Sequence, residues 1–430
     1  MSAVFKKKAG IFSSDYLKCC KYLCEVNPQK ETFTKRLYAE MVACSKLLED
    51  FLDFHGAKNN SEWYYYRELV STTRNLAAVA YTQKHIFSRF PSYALGKVPN
   101  FEEKGLQIHK FLVRSLRNVS SASLEEAGHL KIQIPCDNFA WDHFPGISTD
   151  YLLDSNIDDQ DRVEEKKNIV RICTKFLNVV KDFDMLGCYE PYAVEKIKAI
   201  VPSKINEEEM RGLEMVVHNL QSSFDTYINR NVLKFGTVRL KRLRGIISIV
   251  LHLMELAGRL LHYYERHLYE VGYKNTNKTV ADSLMKIVGE DYILDGIVNY
   301  GLYYICKFLT SGRDVARHVL NENIERSSIR VGIPKEMGFH SRPSLLVAKI
   351  VQHYGGEVEL CVNRDRFDAG SVLDIQWAGG KIAKEKINQV VFQGDVRALN
   401  DIRILADTNY GEDTMGKGVP LPKELIYLRQ

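Results

Sequence analysis

The sequence predicts a multidomain protein with an all-α helical bundle followed by an α+β open-faced sandwich. From about residue 30 to 325, apolar residues recur at spacings of three and four, the period of a helix. After Asn323 the pattern changes to short alternating runs and short helical runs. At 430 residues the chain exceeds one ordinary core, because domains average about 150 residues, so we expect two or three units.

The helical region is predicted to span residues 1–325. A long helix cannot bury its apolar stripe alone, so the periodic segments should pack together as a bundle. The first periodic stretch carries its apolar residues at Leu37, Met41, Leu48, Phe51 and Leu52. Further helices are expected at roughly 61–89, 101–118, 162–183, 206–229, 238–271 and 290–323. Breaks between segments are expected at Pro91, Pro145 and Gly272.

The stretch from Gly128 to Gln160 is predicted to be a long connection that splits the bundle into two sub-bundles near residues 130–160. It opens with a strand-like run, LKIQIP. Before this stretch, Ser123 and Glu126 fit a capping box, which predicts the start of a helix. Further on, Asp154, Asn156, Asp158 and Glu165 occupy ligand places of a calcium loop. The sixth place, where such a loop needs glycine, is Asp159, so a solvated helix entrance is preferred.

Composition excludes several classes of protein. A formal charge of +5 is too small a surplus for a nucleic-acid binder. The basic amino terminus lacks the apolar stretch of an export signal, and the most apolar window, Gly245 to Met254, is too short for membrane insertion, so we expect a cytoplasmic protein. The nine cysteines are interpreted as reduced core thiols, and the Cys19, Cys20 and Cys24 cluster does not suggest a zinc site.

The second domain, residues 326–409, is predicted to have the order βαββαβα. Strands are expected at Ser328 to Ile333, Glu357 to Val362, Arg366 to Ala369 and Asn388 to Phe392. Helical periods follow Ser341, Ser371 and Asp395. Such a unit is an antiparallel sheet with helices on one face. Residues 410–430 are rich in Gly and Pro and are predicted to be a tail with one short helix.

The run GFHSRP, Gly338 to Pro343, predicts a histidine at the entrance of a helix. Gly338 permits a tight turn, and Pro343 suits the first turn of a helix that begins at Ser341. Free N–H groups at a helix start favour an anion and oppose protonation of the His340 imidazole. Arg342 adds a planar cationic fork that matches phosphate oxygens, so phosphoryl transfer is the chemistry indicated.

The chain from about 327 to 409 resembles HPr, the histidine-containing phosphocarrier protein of the bacterial phosphoenolpyruvate-dependent sugar phosphotransferase system. The G-[LIF]-H-x-R-P motif of that family is matched by Gly338, Phe339, His340, Arg342 and Pro343. The run AGSVLDIQWAGG, Ala369 to Gly380, resembles its second signature, and the spacing from His340 to Ser371 needs no gap. Asp374, Trp377 and Gly380 depart from the usual choices of the family.

The resemblance implies roles for several residues. His340 would accept a phosphoryl group on Nδ1 from an enzyme I-like donor and pass it to an enzyme IIA-like or regulatory acceptor, and no cofactor or metal is implied. Arg342 and the helix N–H groups would hold the phosphate. Phe339, Val372 and Leu373 would form the docking patch, with core packing as the other interpretation. Ser371 would be a regulatory phosphorylation site, or simply a helix cap.

The helical region resembles no family by its sequence. The pairs Glu126 with His129 and Glu214 with His218 do not complete a di-iron pattern. The basic group Lys234, Arg239, Lys241, Arg242 and Arg244 could receive an acidic partner, although a solvated helix face is preferred.

Three functional hypotheses remain open from the sequence. The first is a phosphocarrier whose helical region restricts partner choice. The second is a regulatory module that uses the same fold for phosphorylation-dependent docking. In the third, the helical region is an enzyme that the appended domain controls.

Overall fold

The computed structural model describes residues 3–27, 33–96, 98–140, 142–147, 153, 165–228, 238–413, 415 and 417–429. It is mostly helical with one small antiparallel sheet. The chain forms two compact units. Unit 1 is Met1–Asp158, Asp184–Gln221 and Arg244–Leu309, and unit 2 is Asp159–Phe183, Ser222–Leu243 and Thr310–Gln430.

Helices supply almost all the regular structure up to residue 323. They are α1 (Ala3–Glu25), α2 (Lys35–Phe54), α3 (Tyr64–Arg89), α4 (Phe101–His129), α5 (Glu165–Asp184), α6 (Val194–Ile200), α7 (Glu207–Tyr227), α8 (Val238–Tyr263), α9 (Asn275–Val288), α10 (Glu290–Asp295) and α11 (Tyr303–Asn323). π-helical turns at Tyr264–Tyr269 and Gly296–Leu302 extend α8 and lead into α11. The division between the units falls within α5, α7, α8 and α11.

The first four helices of unit 1 pack side by side, α1 on α2, α2 on α3, α3 on α4 and α4 on α1. On α2, Leu37, Met41, Leu48 and Leu52 are fully buried, which confirms the predicted stripe. Full burial of one such side chain contributes roughly 1.5–3 kcal/mol. Thr34 begins α2, because its hydroxyl accepts a hydrogen bond from the Leu37 N–H at 3.2 Å.

The connection after α4 differs from its prediction. Ser123 lies inside α4, where its hydroxyl donates to the Val119 carbonyl at 2.8 Å, so the capping-box prediction is wrong. The run LKIQIP forms no strand. Lys131 has a φ of +58°, and the N–H groups of Lys131 and Ile132 bond back to Gly128 and Ala127, which ends the helix. The calcium-loop positions Asp154, Asn156, Asp158 and Asp159 and the Glu165 side chain lie outside the described residues.

The helical stretch Val238–Tyr269 is long and apolar enough to cross a membrane, and it is the one such stretch in the part of the chain that the structure describes. Most of its apolar window is buried in the protein, which is typical of the core helix of a soluble protein. The nine cysteines are free thiols.

Two histidines of unit 1 should make its stability depend on pH. Burial, together with His252 and Lys35, lowers the pKa of His85 to about 4, and burial with Lys84 lowers that of His109 to about 4. As the pH falls below about 6.5, both histidines become protonated in the unfolded chain while they are still neutral in the folded one. The unfolded state is thereby favoured. We expect the free energy of unfolding to be lower at pH 5.5 than at pH 7.5, by about 1 kcal/mol for His109 and by less for the half-buried His85, whose charge solvent screens. Urea denaturation at the two pH values measures this difference.

The matched variants lie on one helix. His109→Gln should remove its share of this pH dependence, whereas Gln107→Ala, at an exposed position of α4 that does not titrate, should leave it unchanged. An unfolding free energy equally sensitive to pH in both variants would contradict the assignment.

Unit 2 contains a sheet with helices in the predicted order βαββαβα. The elements are β1 (Arg326–Gly332), α12 (Ser341–Tyr354), β2 (Val358–Val362), β3 (Asp365–Asp368), α13 (Val372–Glu385), β4 (Gln389–Asp395) and α14 (Val396–Asp407). The described residues form four antiparallel strands in the order β1-β4-β2-β3. Alternate strand residues such as Ile329, Val331, Leu360 and Phe392 are buried in one core with residues of the helices.

The last segment of the chain joins this core. Tyr410, Leu425 and Leu428 are buried in the same cluster as the sheet and its helices. Short 3-10 turns at Asn409–Gly411 and Lys423–Arg429 carry them. Residues 410–430, predicted as a tail, therefore contribute to the packing of unit 2.

Candidate functional site

A tight turn places His340 at the start of α12. Met337 and Gly338 have φ values of +52° and +58°, and the His340 N–H donates to the Gly338 carbonyl at 2.8 Å. A positive φ is favourable for glycine, so Gly338 suits this turn. His340 itself has extended backbone and is the N-cap residue of the helix, as the motif predicts.

The first turn of α12 leaves two N–H groups for an anion. The Ser344 N–H bonds to the His340 carbonyl at 3.1 Å, and Pro343 has no N–H. The N–H groups of Ser341 and Arg342 have no hydrogen-bond acceptor among the described residues. Together with the positive end of the helix dipole, these two groups are suited to hold phosphate oxygens beside His340.

One ring nitrogen of His340 is engaged by a buried carboxylate. Nε2 lies 3.1 Å from Oε2 of Glu412, which forms the hydrogen bond, and 2.9 Å from Oε1. The Glu412 side chain is 0% exposed, against 22% for His340. Within the described part of the chain, Oε1 of Glu412 has no hydrogen-bond partner, and Nδ1 of His340 has none either.

This contact determines which nitrogen can react. An ionised carboxylate only accepts hydrogen bonds, so Nε2 carries the hydrogen. In the neutral ring, the lone pair is then on Nδ1, the atom that the resemblance assigns to the phosphoryl group. The carboxylate beside Nε2 would also stabilise the positive charge that the ring would gain if Nδ1 were substituted.

Glu412 lies on a tight hairpin that also contacts Arg342. An isolated bridge pairs Glu412 with Gly418, and the Val419 N–H donates to the Gly411 carbonyl at 2.9 Å. The guanidinium of Arg342 lies over Gly418, where an added Cβ would come within 2.3 Å of Nη1. A larger residue at position 418 would therefore displace the Arg342 side chain. The hairpin brings the carboxylate and the guanidinium to the same end of α12.

Residues just before the hairpin hold it against the sheet. The Tyr410 hydroxyl donates to the Gly332 carbonyl at 2.8 Å, and its ring meets Phe339 edge to face at 5.2 Å. The Lys335 N–H donates to the Asn409 side chain at 3.0 Å. Both ends of the β1–α12 loop are thereby tied to the segment that carries Glu412.

The predicted docking patch needs a correction. Phe339 is 3% exposed and packs against Phe392 and Tyr410, so it is a core residue and offers no surface to a partner. Val372 is half-buried against the core, whereas Leu373 is exposed. Leu373 and Trp377, one turn apart on α13, are the large exposed apolar side chains described for that helix.

Ser371 begins α13 as a cap. Its hydroxyl accepts a hydrogen bond from the Asp374 N–H at 3.3 Å. The helix-cap interpretation of this serine is therefore observed, and phosphorylation there stays a prediction.

The Glu–His pairs and the basic group singled out in the helical region do not add residues to the His340 site. Glu126 and His129 pair at 3.1 Å near the end of α4. Arg239 is paired with Glu322, and Arg242 donates to Ser311 at 2.9 Å, while Lys234 lies outside the described residues. No group of His, Cys, Asp and Glu in the described ranges has the arrangement of a metal site.

Comparisons of the chain with known proteins do not identify a family. No protein-family model matches the chain, and neither a curated protein nor a solved structure is significantly similar to it.

Proposed function

We propose that this protein is a phosphoryl carrier of a phosphoenolpyruvate-dependent phosphotransferase system, with His340 as the acceptor. The observation that carries the proposal is the hydrogen bond between Nε2 of His340 and the buried carboxylate of Glu412. It leaves Nδ1 as the nucleophilic nitrogen at a helix start with two available N–H groups. The βαββαβα order of unit 2 and the GFHSRP motif support an HPr-like unit.

Phosphoryl uptake would proceed by in-line attack of Nδ1 on the phosphorus of an enzyme I-like phosphohistidine. The bond from phosphorus to Nδ1 forms while the bond to the nitrogen of the donor breaks, and the donor nitrogen keeps that electron pair. The N–H groups of Ser341 and Arg342 and the Arg342 guanidinium stabilise the phosphoryl oxygens. Glu412 keeps its hydrogen bond to Nε2 and stabilises the charge on the ring.

The two large exposed apolar side chains of α13 suit transient docking. Leu373 and Trp377 on α13 are 63% and 68% exposed. Exposed apolar residues of this size mark surfaces that partners contact. They would receive first the donor and then an enzyme IIA-like or regulatory acceptor. Free thiols suit a reducing compartment, so the proposal includes a cytoplasmic location.

The test identifies the phosphorylated atom. The full chain is incubated with enzyme I and phosphoenolpyruvate, and the product is examined by ³¹P NMR and by mass spectrometry at neutral pH. We expect one acid-labile phosphohistidine with phosphorus on Nδ1 of His340. A chain that takes up no phosphate, or carries it on Nε2 or on Ser371, would refute the proposal.

A second step separates the carrier from the docking module. The phosphorylated chain is mixed with enzyme IIA proteins, and transfer of phosphate is followed. Transfer supports the relay. A phosphohistidine that persists with every acceptor while it changes binding to another protein favours the regulatory module instead.

A further inference from the structure

A basic pocket lies at the opposite end of α12 from His340. It has a volume of about 310 Å³ and is formed within unit 2 by α5, the end of α12 and the start of α14. Its charged lining is Lys167, Arg171, Lys175 and Arg397. The 14 residues of α12 span about 20 Å, so this pocket is separate from the phosphoryl site.

Three cations follow one face of α5. Lys167, Arg171 and Lys175 are spaced by four residues, the spacing that stacks side chains on a helix. Like charges at this spacing repel each other. Lys167 and Lys175 have no carboxylate partner among the described residues, and Arg171 bonds to Asn168 at 3.4 Å and lies over the Tyr227 ring. Within the described residues, carboxylates therefore do not neutralise the charge of this stripe, and it can bind an external anion.

Arg397 is held in place by its own contacts. Its guanidinium donates to the buried Asp395 carboxylate at 2.6 Å and to the Thr174 hydroxyl at 3.2 Å. Asp395 balances the charge of Arg397, so the excess positive charge of the pocket comes from α5. Burial and the nearby Lys181 lower the pKa of His353, which keeps this ring neutral at neutral pH.

The walls of the pocket are apolar or aromatic. Val170 and Tyr354 line it, and the neutral His353 ring stacks on Tyr427 with centroids 4.0 Å apart. The Thr174 hydroxyl donates to the Tyr354 carbonyl at 3.1 Å, which ties α5 to the end of α12. The pocket thus combines a cationic rim with a wall suited to a flat or apolar group.

We propose that this pocket binds a small organic phosphate, with its phosphate groups on the α5 cations and its planar or apolar body against Val170 and Tyr354. The volume lies within the range of small-molecule sites. Arginine and lysine are the side chains that proteins use for phosphate oxygens. This site goes beyond the phosphoryl carrier function, because it needs neither His340 nor Glu412.

Adenosine diphosphate is a suitable probe, since it carries two phosphates on a planar body. Isothermal titration calorimetry of the full chain should give micromolar binding of adenosine diphosphate, and at least tenfold weaker binding of adenosine and of pyrophosphate. The triple variant Lys167→Gln, Arg171→Gln, Lys175→Gln should bind at least thirtyfold more weakly. Lys166→Gln, an exposed lysine of α5 outside the pocket, is the matched control and should bind like the wild type.

Several results would overturn the proposal. These are absence of binding at 1 mM adenosine diphosphate, pyrophosphate binding as tight as that of the nucleotide, or equal losses in the triple variant and in Lys166→Gln. Binding that disappears in His340→Ala would assign the nucleotide to the phosphoryl site and would also refute the separate pocket. Failure of phosphoryl uptake would leave the calorimetric result unaffected, so the two proposals fail independently.

Discussion

Replacing Glu412 by glutamine is expected to slow phosphoryl uptake by His340 about 100-fold or more. The amide is nearly the same size as the carboxylate, so the hairpin should keep its shape. An amide nitrogen can donate to Nε2, which would move the ring hydrogen to Nδ1 and remove the nucleophilic lone pair. The rate is measured as phosphate incorporation from enzyme I with labelled phosphoenolpyruvate.

Two further variants make this result specific. His340→Ala should incorporate no phosphate and sets the background, and Glu424→Gln, at an exposed position of the same terminal segment, should react like the wild type. The ring tautomer is read directly by ¹⁵N NMR, where the wild type should carry its hydrogen on Nε2. A Glu412→Gln protein with an unchanged tautomer and an unchanged rate would show that the contact does not position the ring.

Replacing Arg67 by methionine is expected to lower the free energy of unfolding by about 3–5 kcal/mol. The Arg67 guanidinium is 5% exposed and donates to Glu49 at 2.8 Å and to Glu68 at 2.7 Å, and it also contacts Asp53. Burial raises the pKa of Glu68, but its hydrogen bonds from His267 and Arg67 lower it more, so the carboxyl stays ionised. Methionine would leave buried carboxylates without their cation.

The measurement is urea denaturation of the full chain, with Arg36→Met as the matched control. Arg36 lies on α2 in an exposed pair with Glu40, and its loss should cost less than about 1 kcal/mol. If Arg67→Met is no more destabilising than Arg36→Met, then solvent or a rearranged side chain compensates the buried carboxylates.

The helices were predictable where their buried stripe is made of large apolar residues. The predicted segments 61–89 and 290–323 coincide with observed helices, as do the three helices of the sandwich, whereas the segment 101–118 covers only the first part of α4, which continues to His129. Helix α1 lies in the predicted helical region but was not among the named segments, because its buried face includes Ser13, Tyr16, Cys19 and Cys20. These residues have modest helix propensity and do not produce an apolar period, so only the partner helices reveal their role.

The site was predictable where its geometry is local. Gly338, His340 and Pro343 lie within six residues, and turn, cap and first helical turn follow from their backbone preferences. Glu412 is 72 residues away in sequence and lies in a segment with no periodicity, so no local signal connects it to His340. Phe339 was assigned to a surface because it lies where the resembled family builds its docking patch, yet the turn directs its ring into the core.

The hairpin that carries Glu412 also affects where this unit can be cut. A fragment that stops at Asp407 would retain all the strands and α-helices described for the sandwich. It would lack Tyr410, Leu425 and Leu428, and the imidazole would lose the carboxylate that accepts the hydrogen bond of Nε2. Such a shortened protein would keep the secondary structure of the sandwich, while its histidine would exchange freely between both tautomers.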